Sequence, residues 1–472
     1  MVPDDAGGGV MRTDVLSSPV AGLDEALAVV DAFDRVLTDG LLRPQPAQAR
    51  ALADLAGAVA ASPLAATVAA AAEKAAAGAA DEEHLLALAA ARTALLGAAH
   101  DALRQVVAEA TGRTTAAWTA PAPATQDAPN LLSAARAWLA DLARAGWHGM
   151  DHDLVAGSAQ VVTAMLPDPD LRRLAVLLDG FAGELAACCP GAGLERVPVR
   201  RWADLWSRAL LLTHPGMTAA PSTGTVTGRL LPLGVDLQEH ATAAQAQVLA
   251  VLEPADGSAP RLVRASVSAP KPDSVVGAGI WQLLRPRLSL LAAAGDGRAM
   301  TVTDLPVTAE GDLLWRDECA QPASPADPFA TARAVLPTAL DAPLAPLERH
   351  PVRLAAPVLV EGYTAHEDDG VLTFTLAGHP LTVDTGRIPA ASPLTPQAVA
   401  ASTACIGLLR WDAGAFALQP LAVETTVKRR TVGVHAGAWA GGTTDKAGAK
   451  AEAAATDTVA VLRERAGKLL RK

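Results

Sequence analysis

The sequence predicts an α+β protein, with an all-α helical N-terminal domain followed by a mainly antiparallel α+β domain and a C-terminal helix. Apolar residues recur every three or four positions through the first half of the chain, and near Pro215 their period shortens towards two. The chain has 472 residues, whereas single cores stop growing at about 250–300 residues. We therefore expect two domains, with three as the alternative.

The helical domain is predicted over residues 21–213. Residues 1–20 contain Gly, Ser and Pro without periodicity, so we expect a disordered N-terminus there. The first helix closes at Gly40 and has apolar residues at steps of three and four, namely Leu23, Leu27, Val30, Phe33 and Leu37. Further helices of this kind follow, and a Pro- and Ala-rich break at 119–129 interrupts them.

The α+β domain, with an antiparallel sheet, is predicted over residues 220–436, where short alternating runs are bounded by turn residues. The clearest is a hairpin that alternates over 371–376 and turns at Ala377 and Gly378. One helical segment interrupts the strands, and Pro286 is expected to kink or split it.

The stretch ACIGLLRWDAGAFALQPLAVE, residues 404–424, predicts a second hairpin. Two strands, 405–411 and 415–423, are joined by three residues that end in Gly414, a residue that accepts a positive φ. Cys405 begins the first strand among apolar neighbours. We therefore expect a buried, inert thiol at Cys405, and not a nucleophile.

Residues 440–472 predict a flexible linker followed by a basic C-terminal helix, with Thr456 or Asp457 as its cap. Basic residues near a helix C-terminus complement the helix dipole, which favours a solvated terminal helix. A linker with a charged helix is also a common layout for a docking element, so a tail that binds an acidic partner or nucleic acid is the alternative.

Composition excludes several classes of function. A net charge of −11 and a pI near 5.4 argue against a general binder of polyanions, so nucleic acid is an unlikely partner. Arginine far outnumbers lysine, and the chain is alanine-rich, which fits the codon bias of a high-G+C bacterial genome. Four cysteines without Cys-x-x-Cys spacing, and acids where a signal peptide needs basic residues, predict a cytoplasmic protein that does not enter the membrane.

The best metal-like cluster is WHGMDHD, with His148, Asp151, His152 and Asp153. Two histidines four residues apart share one face of a helix and could bind a divalent ion. However, Gly149 lies between them, and the stretch has the character of a turn between helices. HEDDG, residues 366–370, lacks the alternating ligands of a calcium loop and predicts a solvated hairpin turn. We expect no metal site.

The sequence contains no nucleophile elbow and no phosphate-binding loop of the Walker type. His214, His240, His350 and His379 have no partnered acid in register. Asp312, Asp317 and Glu318 near Trp315 could form a carboxylate pair, but a solvated strand edge is favoured. The sequence therefore predicts no catalytic and no cofactor-binding residues, although a site assembled from distant residues stays open.

Four stretches carry a resemblance to a known group: RLLPLGVDLQEH (229–240), DPFATAR (327–333), PVLVEGY (357–363) and the hairpin at 404–424. Together they resemble a group of uncharacterised bacterial proteins that accompany a SWIM zinc-finger protein, a MoxR-type AAA+ ATPase and a von Willebrand factor A protein. The resemblance covers mainly residues 225–425. It implies an accessory subunit of such a system, and it assigns no catalytic residue.

The expected function is that of a non-enzymatic cytoplasmic adaptor or scaffold subunit in an ATPase-associated protein assembly. The absence of a catalytic motif, the two-domain layout and the charged tail support this expectation. The alternative is a hydrolase or metal-dependent enzyme whose site is assembled from distant residues, for example between the domains, where pockets often form.

Overall fold

A computed structural model describes residues 11–118, 129–214, 217, 223–390, 392–427, 429–442 and 446–470. It confirms the α+β class, with a helical region followed by a domain rich in antiparallel strands. The helices are α1 (Thr13–Leu16), α2 (Leu23–Asp39), α3 (Pro46–Ala58), α4 (Ala65–Ala76), α5 (Glu82–Thr111), α6 (Pro129–Ala145), α7 (His152–Ala156), α8 (Ser158–Met165), α9 (Arg172–Ala187), α10 (Val199–Leu212), α11 (Ala278–Leu284), α12 (Leu290–Gly295), α13 (Pro328–Ala334), α14 (Pro396–Ala400) and α15 (Lys446–Leu470).

Helices α2 to α10 pack around an apolar core that the periodic residues form. The α2 helix buries Val30, Phe33 and Leu37, as the spacing predicted. Edge-to-face aromatic contacts join α6, α9, α10 and the segment after α6, with ring centroids 5.7 Å apart for Trp147 and Trp202. Such pairs add to the burial of the rings themselves, so these aromatic residues stabilise the helical core.

The strands form two sheets. They are β1 (Thr223–Glu239), β2 (Ala243–Pro254), β3 (Arg261–Pro270), β4 (Arg298–Thr308), β5 (Ala320–Pro325), β6 (Ala356–Glu361), β7 (Thr364–Asp368), β8 (Val371–Leu376), β9 (His379–Val383), β10 (Ala404–Asp412), β11 (Ala415–Val427) and β12 (Arg430–His435). The first sheet has the order β3-β2-β1-β4-β5, and all its pairs are antiparallel. The second has the order β6-β10-β11-β9-β8-β7, with β12 also paired to β11. Its β11–β9 pair is parallel.

The first sheet has one apolar and one polar face at β2 and β3, because their side chains alternate. Ala244, Ala246 and Val248 pack in a core that residues of α11 and α12 complete, including Trp281 and Leu291. The intervening residues of β2 and β3 face the other way, and several of them are polar: Gln245, Gln247, Arg264 and Ser266. This alternation decides which side of the sheet can form a polar site.

The two sheets also pack against each other through apolar side chains of β1 and of the β10–β11 hairpin. Leu231 and Leu233 lie in one cluster with Ile406 and Ala422. The α13 helix lies beside this junction, and its Arg333 forms ion pairs with Glu361 of β6 and Glu424 of β11. The four stretches that carry the resemblance thus lie next to one another.

The α5 helix connects the helical region to the second sheet. Its first half, with Leu85, Leu88 and Leu96, belongs to the helical core. Its second half, with Leu103 and Val107, packs in a different core that the second sheet supplies. A 30-residue α-helix is about 45 Å long at 1.5 Å per residue, so its two halves can pack in two different cores.

Two local features differ from the expectation. Residues 11–20 include α1, and Met11 and Val15 are buried, whereas a disordered N-terminus was predicted through residue 20; residues 1–10 lie outside the described residues. The β10–β11 loop has two residues and not three, since Asp412 pairs with Ala415. Both loop residues, Ala413 and Gly414, have positive φ. A two-residue hairpin turn whose twist matches that of the strands requires positive φ at both positions.

Candidate functional site

A cleft of about 780 Å³ lies where the helical region meets the polar face of the first sheet and the start of the second. Its walls come from α5 and α9, from β1 to β3, from β10, and from the loops after β4 and before β6. This volume falls within the range of about 300–1,000 Å³ that is usual for ligand sites. The cleft is therefore the candidate functional site.

Six arginines line this site, which we call the arginine cleft. They come from α5, α9, β3, β10 and two loops: Arg104, Arg173, Arg264, Arg353, Arg387 and Arg410. Five carboxylates line it as well: Asp236, Glu310, Asp312, Asp341 and Glu348. The arrangement of the ion pairs decides where a positive charge stays available.

Three of the arginines are held by dedicated carboxylates, and one of them is Arg387, whose Nε donates to Asp384 at 2.7 Å. Arg264 binds Asp312 through two hydrogen bonds, at 2.5 Å from Nε to Oδ1 and 2.9 Å from Nη2 to Oδ2. Arg410 donates to Asp236 at 2.9 Å and also to Gln419, and Gln419 in turn donates to Asp236 at 2.7 Å. Because Asp236 is 4% exposed, the Arg410 end of the cleft is a closed hydrogen-bond network.

Arg173 and Arg353 share one carboxylate, Glu348. Burial in the cleft wall, followed by the nearby positive charge of Arg208, lowers the pKa of Arg353 to about 10. The pKa of Arg173 is lowered for the same reasons, burial first and Arg208 second. Because two arginines share one carboxylate, an anion that enters here would be attracted.

Arg104 donates a hydrogen bond to the backbone carbonyl of Ala342. Burial lowers its pKa, and the positive charges of Arg349 and Arg264 lower it further, against the attraction of Asp341 and Asp101. No carboxylate forms an ion pair with Arg104 within the described part of the chain. Its charge is thus compensated less than that of Arg264 or Arg410.

His100 lies one helical turn before Arg104 and also lines the cleft. Its side chain is fully buried, and its Nδ1 lies 3.1 Å from Asp101 Oδ1. Its Nε2 is buried without a hydrogen-bond partner among the described residues. Buried polar atoms nearly always have a partner, so this nitrogen has capacity for one more hydrogen bond.

The metal-like cluster of the sequence, for which no metal site was expected, is not assembled around a cavity. His148 is half exposed, with Nδ1 3.2 Å from Asp39 Oδ1, while Asp151 caps α7 by accepting from the Leu154 amide. Over the described ranges, no group of three or more His, Cys, Asp or Glu side chains has the geometry to hold a metal ion. Asp151 thus acts in helix capping.

The acidic residues near Trp315 and the HEDDG stretch lie in different parts of the structure. Asp312 lies in the cleft, paired with Arg264, whereas Asp317 accepts from Trp315 Nε1 at 2.8 Å. Hydrogen bonds from Ser289 and Trp315 lower the pKa of Asp317. The HEDDG stretch ends strand β7 with His366, Glu367 and Asp368, and the predicted hairpin turn lies at Asp369 and Gly370, both with positive φ.

Sequence reasoning missed the arginine cleft. The excess of arginine was attributed to codon bias, and the six arginines are spread from residue 104 to residue 410. One signal was present, since the polar positions of AQAQ and RASVS in β2 and β3 fall on one face of the sheet. It indicated a polar face, but not the helices that close over it.

The fold and site define an α+β protein with a positively lined cleft between a helical region and two sheets. Comparison with protein-family models, with curated proteins and with solved structures finds no match for this chain. Among the described helices, none is long and apolar enough to cross a membrane.

Proposed function

We propose that the protein is a non-enzymatic adaptor or scaffold subunit that holds an acidic segment of a partner protein in the arginine cleft. The convergence of six arginines from distant parts of the chain on one cleft carries the proposal. Arginine side chains bind carboxylates in a planar, two-pronged geometry, which makes them suited to acidic peptides.

The surroundings of the cleft support binding over chemistry. Asp312 and Asp236 are engaged by Arg264 and Arg410, and Glu348 by two arginines, so these acids orient the cleft's cations. An enzyme with a site assembled from distant residues is the second candidate, since the cleft does bring carboxylates together from distant elements. It predicts turnover of a bound ligand, whereas the adaptor predicts binding alone.

The cellular setting belongs to the same proposal. The resemblance described above directs the search for the partner to ATPase-associated assemblies, with a MoxR-type AAA+ ATPase, a von Willebrand factor A protein or a SWIM zinc-finger protein as candidates. A cytoplasmic location fits such partners. The acidic segment recognised by the cleft would then lie on one of these proteins.

The test is calorimetric titration of the full chain with a short glutamate-rich peptide at low salt. Hydrogen bonds to charged groups contribute about 1.5–3 kcal/mol, so Arg353→Gln is expected to weaken binding about tenfold or more. Arg50→Gln is the matched control, because Arg50 is exposed on α3 and does not line the cleft. Equal losses in both variants, or no binding by the unmodified protein, would refute the proposal.

A further inference from the structure

We propose that the α5 end of the arginine cleft, formed by Arg104, His100 and Arg264, binds a phosphate monoester group. This inference rests on the proposed function and deepens it: the acidic segment held in the cleft carries a phosphorylated side chain. The rest of the segment would lie along the cleft towards Arg353 and Arg173.

Arg104 carries the positive charge of the cleft with which no carboxylate of the described residues forms an ion pair. At the Arg410 end, Asp236 already occupies the guanidinium. At the α5 end, Arg264 is likewise bonded to Asp312, whereas Arg104 has, within the described ranges, only a backbone carbonyl as its hydrogen-bond acceptor. An anion beside Arg104 therefore meets a guanidinium whose charge is not already paired.

The two guanidinium groups at the α5 end are held in fixed positions. The backbone carbonyl of Ala342 holds the Arg104 guanidinium, and the paired hydrogen bonds to Asp312 hold that of Arg264. Donors that are fixed before binding lose little side-chain entropy when the ligand arrives. The α5 end is thus organised in advance for an anion.

His100 places a second polar group beside Arg104. The two residues are four apart on α5, so they lie on the same face of the helix. The Nδ1 atom of His100 lies 3.1 Å from Asp101 Oδ1 and is engaged there. The buried Nε2 has no partner among the described residues, which is the condition expected of a polar atom whose partner belongs to a ligand.

The number of hydrogen-bonding groups favours phosphate over carboxylate. A carboxylate presents two oxygens in one plane, which one arginine can satisfy alone. A phosphate monoester carries a charge of about −1.5 to −2 at pH 7 and three acceptor oxygens. Polar groups from three residues, two of them arginines, match the larger charge and the greater number of oxygens.

The experiment compares three glutamate-rich peptides that differ at one central position, binding to the full chain by calorimetry. In the three peptides, this position is occupied by serine, by phosphoserine or by a pair of glutamates. The phosphoserine and two-glutamate peptides then have nearly equal charge. We expect the phosphoserine peptide to bind about tenfold tighter than the two-glutamate peptide. Arg104→Lys, which keeps the charge and loses the planar fork, should remove that preference, while Arg50→Gln should preserve it.

Each result has a distinct meaning. Equal affinity for the phosphoserine and two-glutamate peptides would overturn this inference and leave the proposed function standing, whereas failure of all three peptides would overturn both. Inorganic phosphate alone is the remaining probe. If it competes at concentrations near the dissociation constant of the phosphopeptide, the site recognises a free phosphate, and the assignment to a phosphorylated partner is overturned.

Discussion

Arg92 and Asp34 form a two-pronged ion pair inside the helical core, with Nε 2.6 Å from Oδ1 and Nη2 3.0 Å from Oδ2. Both side chains are 1% exposed. Burial raises the pKa of the Asp34 carboxyl, and the attraction of Arg92 offsets this effect in part. The pair joins α2 to α5, so the packing of these two helices depends on a buried charge that has its partner in place.

Removing one member of this pair should destabilise the protein strongly. Asp34→Ala leaves the Arg92 charge buried without its main partner, and we expect a loss of about 3–5 kcal/mol in the free energy of unfolding. The double variant Asp34→Leu/Arg92→Met should recover most of this loss, because it removes both charges. Urea unfolding followed by circular dichroism measures both. Glu184→Ala, which breaks an exposed pair with Arg201, is the control and should cost less than about 1 kcal/mol.

His350 should make stability depend on pH. Burial lowers its pKa to about 4, with Asp204 opposing the shift, so the folded protein keeps a neutral imidazole. The unfolded chain takes up this proton near pH 6.5. The contribution of His350 to stability is therefore complete above about pH 6.5 and is lost as the pH falls towards 4, by about 3 kcal/mol in all.

The measurement for His350 is the free energy of unfolding at pH 7 and at pH 5, in the unmodified protein and in His350→Asn. Asparagine can keep the hydrogen bond that His350 Nδ1 accepts from the Val352 amide. The variant should lose less stability between the two pH values. An identical pH dependence in both proteins would show that His350 does not titrate with unfolding.

The junction between α5 and the loop before β6 depends on Arg113 and Asp341. Arg113 Nε donates to Asp341 at 3.1 Å, and its Nη1 donates to the Pro357 carbonyl at 2.8 Å. Asp341→Ala leaves the nearly buried arginine charge unpaired, and we expect a loss of about 3 kcal/mol. Thermal unfolding gives the size of the effect. Hydrogen exchange at the Ala116 amide, which donates to the Asp341 carbonyl, should rise if the junction opens locally and stay constant if it does not.

The four cysteines should react with a thiol reagent in a defined order. Cys405 is fully buried, and burial raises its thiol pKa far above the usual range, whereas Cys188, Cys189 and Cys319 are partly accessible. Reaction needs a thiolate that the reagent can reach. Peptide mapping after brief alkylation should find Cys405 unmodified until urea unfolds the protein. Early labelling of Cys405 would contradict the buried, inert thiol.

The periodicity of apolar residues was sufficient to predict these helices and strands, because each depends on local spacing. The α2 helix and the hairpin at β8 and β9 lie where their apolar positions predicted them. The features that the sequence did not predict depend on contacts between distant parts of the chain. Met11 and Val15 are too few to define a helix on their own, yet they are buried against other parts of the chain. The arginine cleft escaped prediction because its charges meet only after α5, α9 and both sheets have packed.

The sharing of α5 between two cores has a consequence for synthesis on the ribosome. Thr13 Oγ1 donates to the Leu376 carbonyl, 363 residues further along the chain, and Leu23 lies in the same core as Val423. The helical region can form early, but the second sheet supplies most of the core around Leu103 and Val107, so these residues lack that cover until the sheet has been translated. At about 5–20 residues per second, that delay lasts on the order of 20–60 s. A chain stalled in this interval presents an apolar helix face to the cell's chaperones.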